Sequence, residues 1–175
     1  MALHDDLLEQ AWHLAKRERR RPRQASLRRA ISDAYYALFH LLVADAARLL
    51  APAQPAGMKN VVGRAFDHGQ MRTVCAGFLQ GSAGQHGNKS IPSPTRALLT
   101  FPFDPALVRV LAAFVRLQAT RHLADYDLAE KWTRLEAEYH VLFARSAFAD
   151  WERFRTTPNA TVFLTALLLQ RHWAR

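Results

Sequence analysis

Polar side chains recur at helical spacing in a stretch between residues 28 and 50 that is otherwise rich in apolar residues. The set is separated by four, three and four positions, and its members are Arg29, Asp33, Tyr36 and His40. This spacing places all four on one face of a helix, beside an apolar stripe. Buried polar groups need partners, so the face predicts either a hydrogen-bond network that fixes helix register or a functional site. Spacing alone favours the network, and the two interpretations are compatible.

A second polar set lies at the C-terminal end of a later helix, where an apolar face gives way to Gln118, Arg121 and Asp125. We expect the two helices to pack with these sets in contact, because a buried arginine needs a carboxylate. An arginine could stabilise a phosphorane-like charge, and a histidine could act as acid or base near neutral pH. The expected cluster contains Asp33, Tyr36 and His40 from the first helix, with Arg121, His122, Asp125 and Tyr126 from the second.

The elements that would position these residues are helices, because apolar residues recur at three- and four-residue steps and no segment alternates as a half-buried strand does. Predicted helices cover residues 4–20, 24–50, 57–79 and 104–125, a fifth runs from Asp127 past Trp151 to the break at "TTPNA", and a last one starts at about 159. We therefore predict an all-α, antiparallel bundle of five to six helices. The length suits a single domain over residues 1–175.

Two boundaries carry specific expectations. Residues at about 80–103 combine glycine, serine and proline, which predicts a flexible surface loop without core residues. Asp127, with Glu130 three residues later, resembles a capping box that would start the fifth helix. The apolar seam of that helix is predicted to contain Leu128, Trp132, Leu135, Tyr139 and Leu142.

Positive charge is concentrated near the N-terminus. The net charge is +9, and residues 16–29 hold eight basic residues and one acidic residue, so they account for most of it. Arg19, Arg20, Arg21 and Arg23 could contact phosphates, since each neutralised phosphate releases counterions. The alternative is a solvated helix end in a chain that has many more arginines than lysines.

Other chemistry finds little support. One cysteine, Cys75, excludes an internal disulfide framework and a cysteine-based metal cluster, and no HExxH motif occurs, so no metal or cofactor is expected. The N-terminus does not resemble a secretory signal and no apolar stretch is long enough to span a bilayer. These features favour a cytoplasmic protein.

The stretches "RRAISDAYYALFHLL" and "LQATRHLADYDLAE" resemble the HEPN superfamily of small helical domains, and "RAFDHGQMRTVCAGF" resembles one uncharacterised subgroup of it. The resemblance covers most of residues 5–155. It implies a HEPN-like fold, association with RNA or nucleotide, and a place in a toxin–antitoxin, stress or defence system. It also implies a homodimer, and partners such as a cognate antitoxin or a nucleotidyltransferase-type protein.

Many members of this family are metal-independent ribonucleases, with an arginine followed after four to six residues by a histidine. Arg121 occupies the expected position, but Tyr126, Asp127 and Leu128 stand where the histidine would be. Arg116 with His122 and Arg134 with His140 fit the spacing, yet an arginine-rich chain gives such matches by chance. The resemblance thus points to Arg121, His122, Asp125 and Tyr126 as candidate catalytic residues of an endoribonuclease and leaves catalysis open. The alternative is a non-catalytic helical dimer that acts as a protein-interaction module.

Overall fold

The protein is all-helical, as a computed structural model describes it for residues 2–53, 55–84 and 89–173. These residues form eight helices and no strand. In chain order the helices are α1 (Leu3–Lys16), α2 (Gln24–Leu50), α3 (Ala56–Arg64), α4 (His68–Gly81), α5 (Ser93–Arg96), α6 (Pro105–Tyr126), α7 (Arg134–Phe154) and α8 (Pro158–Trp173). The all-α prediction is confirmed, and α2 has the predicted bounds.

The helix count differs from the prediction because two segments contain extra breaks. The predicted helix 57–79 is two helices, since Asp67 adopts an extended backbone and accepts a hydrogen bond from the Gln70 amide as the N-cap of α4. The predicted loop contains the short helix α5.

Two compact units divide the chain. Unit 1 contains residues 1–41 and 113–149, and unit 2 contains residues 42–112 and 150–175. Helices α2, α6 and α7 contribute residues to both units.

One cluster in the core of unit 1 packs small residues around an indole. Trp132 packs with Leu27, Ile31 and four alanines that include Ala124 and Ala137. Alanines let helix backbones approach closely, so the larger side chains can fill the remaining space at high density.

Unit 2 has an aromatic core, in which the ring of Phe163 lies 5.5 Å from Phe78 and 6.0 Å from Trp151. Helices α4 and α5 pack on α8 within this unit. The segment after α4 contributes Ile91, Thr95 and Phe103 to the buried set. The expectation of a loop without core residues is therefore wrong at these positions; residues 85–88 lie outside the described part.

The start of α7 also differs from the prediction. Asp127 accepts a hydrogen bond from the Ala129 amide in a turn, and the helix begins only at Arg134. The capping box is formed instead by Thr133 and Glu136, each accepting a hydrogen bond from the other's backbone amide. Both segments fit the capping-box pattern, and the prediction from sequence placed the capping box in the wrong segment.

The predicted seam of α7 is largely on the surface. Of its five members only Trp132 is buried, whereas Leu128, Leu135, Tyr139 and Leu142 are exposed. The buried positions of α7 in unit 1 are Ala137, His140, Val141, Ala144 and Ala147. Within unit 1 the helix buries mainly alanines and leaves Leu135, Tyr139 and Leu142 exposed, whereas its end in unit 2 buries Trp151 and Phe154.

Candidate functional site

The polar face of α2 begins with an ion pair. Arg29 Nε lies 2.8 Å from Asp33 Oδ1, one helical turn apart. The Asp33 side chain is fully shielded from solvent, whereas the arginine is largely exposed. The second carboxylate oxygen of Asp33, Oδ2, has no hydrogen-bond partner among the described residues. Burial raises the pKa of Asp33, an effect that Arg29 opposes and the nearby charge of Asp125 reinforces.

The guanidinium of Arg121 lies at the centre of the polar contacts between α2 and α6. Its Nη2 donates a hydrogen bond to the hydroxyl oxygen of Tyr36, and its Nε lies 2.8 Å from Asp125 Oδ2. Ser32 of α2 donates its hydroxyl to the other oxygen of Asp125. Two residues of each helix therefore form one continuous network within unit 1.

Aromatic rings surround the same guanidinium. Its central carbon lies 5.1 Å from the ring of Tyr36, 5.7 Å from Tyr126 and 5.9 Å from Tyr35. Only 17% of the Arg121 side chain is exposed. Burial disfavours its charge, but the Tyr36 hydroxyl and the Asp125 carboxylate leave the pKa of Arg121 raised. A cation held this way is a rigid anchor for a phosphate or another anion.

His122 and Tyr126 lie at the exposed edge of this cluster. Their rings are 5.0 Å apart, and both side chains are exposed. A solvent-accessible imidazole next to a fixed guanidinium has the elements of acid–base chemistry on a phosphate ester.

The sequence analysis predicted most but not all of this cluster. Arg121, Asp125, Tyr36 and Tyr126 are brought together, and Asp33 lies close enough to Asp125 for their charges to interact. The ring of His40 lies 5.2 Å from that of Phe39, and its predicted contact with Arg121 stays a prediction. Ser32 was missed, since no sequence signal relates its position on α2 to Asp125.

The basic residues lie between α1 and α2. Arg19, Arg20, Arg21 and Arg23 are all exposed. Glu18 fixes this segment: it accepts hydrogen bonds from the Ser26 hydroxyl and the Arg23 amide, and its carbonyl accepts one from Arg134. The Ser26 hydrogen bond is the main reason that the pKa of Glu18 is lowered.

Two further residues of α2, missed by sequence analysis, join this basic segment to the end of α6. Arg28 donates hydrogen bonds to the carbonyls of Ala124, Asp127 and Glu130, at 2.6–2.8 Å. Gln24 forms reciprocal side-chain hydrogen bonds with the backbone of Trp132. The arginine satisfies carbonyls at a helix C-terminus, where a positive charge is favourable. The basic segment and the Arg121 cluster are therefore tied to the same 124–134 region of unit 1.

The two other arginine–histidine matches lie in different surroundings. Arg116 stacks on the rings of Tyr139 and Phe143 at 5.1 and 5.6 Å. His140 is buried, and desolvation together with the charge of Arg116 lowers its pKa to about 4, with Glu136 opposing this shift only in part. A buried imidazole of this kind is unsuited to proton exchange with a substrate at neutral pH.

Unit 1 also carries large apolar side chains on its surface. They follow the ends of α6 and α7 and the segment between them, and comprise Leu123, Tyr126, Leu128, Leu135, Tyr139 and Leu142. We call this set the α6–α7 apolar surface. Arg116 of α6 lies over the rings of Tyr139 and Phe143, so α6 and α7 are in contact next to part of this set.

Comparison with protein-family models, curated proteins and solved structures finds no match for the chain. In the described ranges, no three histidine, cysteine, aspartate or glutamate side chains converge as metal ligands. No helix of the described chain has the length and hydrophobicity that crossing a bilayer requires.

Proposed function

We propose that the chain is a HEPN-like protein that associates with RNA or nucleotide, in the cytoplasm, as part of a toxin–antitoxin, stress or defence system. The observation that carries this proposal is Arg121, a shielded guanidinium held by Tyr36 and Asp125 and bordered by the exposed His122 and Tyr126. Phosphate is the ligand that best suits a preorganised arginine beside aromatic rings.

The exposed arginines of the 16–29 segment support the same proposal. Hydrogen bonds from Arg28 and Gln24 tie this segment to the region that carries the Arg121 cluster. A polyanion could thus be held by the basic segment while one of its phosphates reaches Arg121.

Catalysis, if present, is that of a metal-independent endoribonuclease. Arg121 would stabilise the charge that develops on phosphorus, and His122 would transfer the proton. Tyr126 could donate a hydrogen bond but is a poor base, since an unperturbed tyrosine has a pKa of about 10.

The experiment measures RNA binding and cleavage together. A variant with Arg19, Arg20 and Arg21 changed to alanine should bind single-stranded RNA more weakly at low salt. Its plot of log affinity against log salt should be shallower by about 2, because each phosphate contact to a single strand contributes about 0.7 to the slope.

The matched control removes three exposed positive charges elsewhere, with Arg64, Arg72 and Lys89 changed to alanine. This variant should bind RNA as the parent does. Arg121→Lys tests the anchor, since it keeps the charge but loses the planar fork, and His122→Ala tests cleavage in the folded protein. Absence of RNA and nucleotide binding at low salt would refute the proposal.

A second candidate function is supported by the α6–α7 apolar surface. Six large apolar side chains in solvent suit a protein contact better than RNA. We propose a second copy of the chain as the occupant, and a homodimer as the state in solution; an antitoxin or nucleotidyltransferase-type protein is the further partner. Sedimentation should show a dimer for the parent protein and a monomer for Leu135→Glu. If this holds and the parent does not bind RNA, the chain is a protein-interaction module.

A further inference from the structure

Unit 2 contains a shallow, largely open cleft of about 410 Å³ that plays no part in the proposed function. A volume of this order suits a small molecule. Its lining combines one carboxylate, two guanidiniums, hydroxyl groups and aliphatic side chains from α2, α8 and the residues that follow α2 and α7. All of these residues belong to unit 2.

The charged wall of the cleft is organised by Asp45, whose side chain is almost fully shielded. One oxygen accepts a hydrogen bond from Arg48 at 2.5 Å, and the other accepts one from the buried indole of Trp151 at 2.7 Å. Arg155 Nη1 lies 3.5 Å from that second oxygen. Asp45 therefore has contacts on both oxygens and holds two arginines at the cleft.

Two arginines and one carboxylate line the cleft, and Glu152, outside the lining, contacts Arg155 Nε at 3.1 Å. Arg155 is therefore paired with two carboxylates, whereas the described partner of Arg48 is Asp45 alone. The described contacts of Arg48 use only one of its terminal nitrogens, and a guanidinium has five N–H groups. Donors for one anionic group thus remain beside Asp45.

The lining also contains aliphatic side chains. Leu49 and Leu164 contribute aliphatic side chains, with Thr161 as a nearby hydroxyl. A hydrated inorganic anion gains nothing from such a wall, whereas an alkyl or aryl group attached to the anion would be shielded from water there.

We propose that this cleft binds a small monocarboxylate with an apolar body, its carboxylate paired with Arg48 and Arg155 and its hydrocarbon part against Leu49 and Leu164. A carboxylate matches the planar fork of arginine.

Octanoate is the probe, titrated into the full-length protein by calorimetry and followed by saturation-transfer NMR. Octanamide, its uncharged analogue, should bind at least about tenfold more weakly, because a charge-assisted hydrogen bond contributes about 1.5–3 kcal/mol. Arg48→Gln should weaken octanoate by a similar factor. Leu49→Asn, which replaces an exposed aliphatic side chain of the lining by a polar one, should also weaken octanoate binding.

Arg153→Gln is the matched control. Arg153 is as exposed as Arg48 and pairs with a buried aspartate three residues away in the same manner, but it does not line the cleft. Octanoate affinity should be unchanged in this variant, and circular dichroism should show that every variant is folded.

Three outcomes would overturn the proposal: no octanoate binding by the folded protein, equal affinity for octanamide, or equal weakening by Arg153→Gln and Arg48→Gln. Displacement of octanoate by inorganic phosphate at comparable concentration would also overturn it, since the ligand would then be phosphate rather than a carboxylate. The RNA experiments on unit 1 use other residues, so failure of either proposal leaves the other standing.

Discussion

Asp150 in unit 2 and Asp33 in unit 1 are both carboxylates shielded from solvent, with 3% and 0% of the side chain exposed. Arg109 meets Asp150 through Nε and Nη2, one on each oxygen at 2.7 Å, and Arg153 adds a third hydrogen bond. Asp33 has one arginine partner, Arg29, whose Nε lies 2.8 Å from one of its oxygens, and the other oxygen has no hydrogen-bond partner among the described residues. Their pKa values move in opposite directions: hydrogen bonds from Arg109 lower that of Asp150, and burial raises that of Asp33.

The difference separates a structural carboxylate from one suited to chemistry. A buried charge with all its hydrogen bonds made is stable and fixes the positions of its partners. A buried carboxylate without them holds its proton more tightly and can change protonation state when a ligand or substrate brings charge nearby. Asp33 lies beside the Arg121 cluster, which is where such a group would be useful.

The largest effect expected from this comparison is the loss of Asp150. Asp150→Asn removes the negative charge that pairs with two arginines. It also places an amide NH₂ group, itself a donor, against the N–H donors of those arginines. We expect the free energy of unfolding at pH 7 to fall by about 2–3 kcal/mol, less than for a fully enclosed pair because both arginines are more than half exposed. Urea denaturation measures this.

Arg153→Gln serves as the control for Asp150→Asn, because it removes one exposed partner and leaves the bidentate Arg109 pair. Its cost should be below about 1 kcal/mol. If Asp150→Asn costs no more than this control, the Asp150 network does not stabilise unit 2 and the comparison with Asp33 loses its structural member.

His140 extends the comparison to a second buried titratable group of unit 1. It is 6% exposed, and its Nδ1 has no hydrogen-bond partner in the described chain. Its pKa in the folded protein is about 4, below the ordinary value of 6.5, so the unfolded chain binds the proton more readily. Stability from this group is complete above pH 6.5 and is lost as pH falls from 6.5 towards 4.

Between pH 7 and pH 5 the protein should lose about 1–2 kcal/mol of unfolding free energy through His140. The measurement is urea denaturation at several pH values. His140→Gln should flatten the dependence, whereas His13→Gln, which removes an exposed histidine, should leave it unchanged. An unchanged slope in His140→Gln would contradict the lowered pKa of His140. It would mean that a hydrogen-bond partner keeps the folded-state pKa of the imidazole near its ordinary value.

The sequence predicted the long elements well where strong local signals bound them. Pro22 and Pro52 flank α2, and Asp104 with Pro105 opens α6, so these boundaries follow from single residues. The face of α7 could not be found in this way. The large apolar residues recur at helical spacing, so the sequence pattern favoured the face that carries them. The buried face is instead formed mainly by alanines, which allow close packing.

The candidate site could be predicted only as far as helical spacing carries information. The Arg121–Asp125 and Arg29–Asp33 pairs are four residues apart on their own helices, and spacing alone suffices for them. The Tyr36–Arg121 contact was predicted because buried polar side chains on two packed helices must find hydrogen-bond partners in each other. Ser32 and Arg28 depend on the register between two helices, which no single-helix pattern encodes.

The smallest effect expected has the opposite sign to that of Asp150→Asn. Asp33→Asn removes a charge whose burial is unfavourable and relieves its repulsion with Asp125, while it loses an ion pair to a guanidinium that is 59% exposed and therefore screened. We expect the protein to become slightly more stable at pH 7, by less than about 1 kcal/mol.

The pH dependence of Asp33→Asn distinguishes this explanation from a general effect of the amide. Because the pKa of Asp33 is raised on folding, the folded parent holds that proton more tightly, so its stability from this group is highest at low pH and falls as pH rises through the folded pKa. The advantage of asparagine should therefore be present at neutral pH and disappear below about pH 4, near the ordinary pKa of aspartate. Urea denaturation of both proteins at pH 7 and pH 3.5 measures it.

A loss of more than about 1 kcal/mol at pH 7 would mean that Asp33 is as well satisfied as Asp150. If the variant is instead more stable and at the same time loses RNA binding or cleavage, Asp33 is a carboxylate kept at a cost in stability because the site requires it.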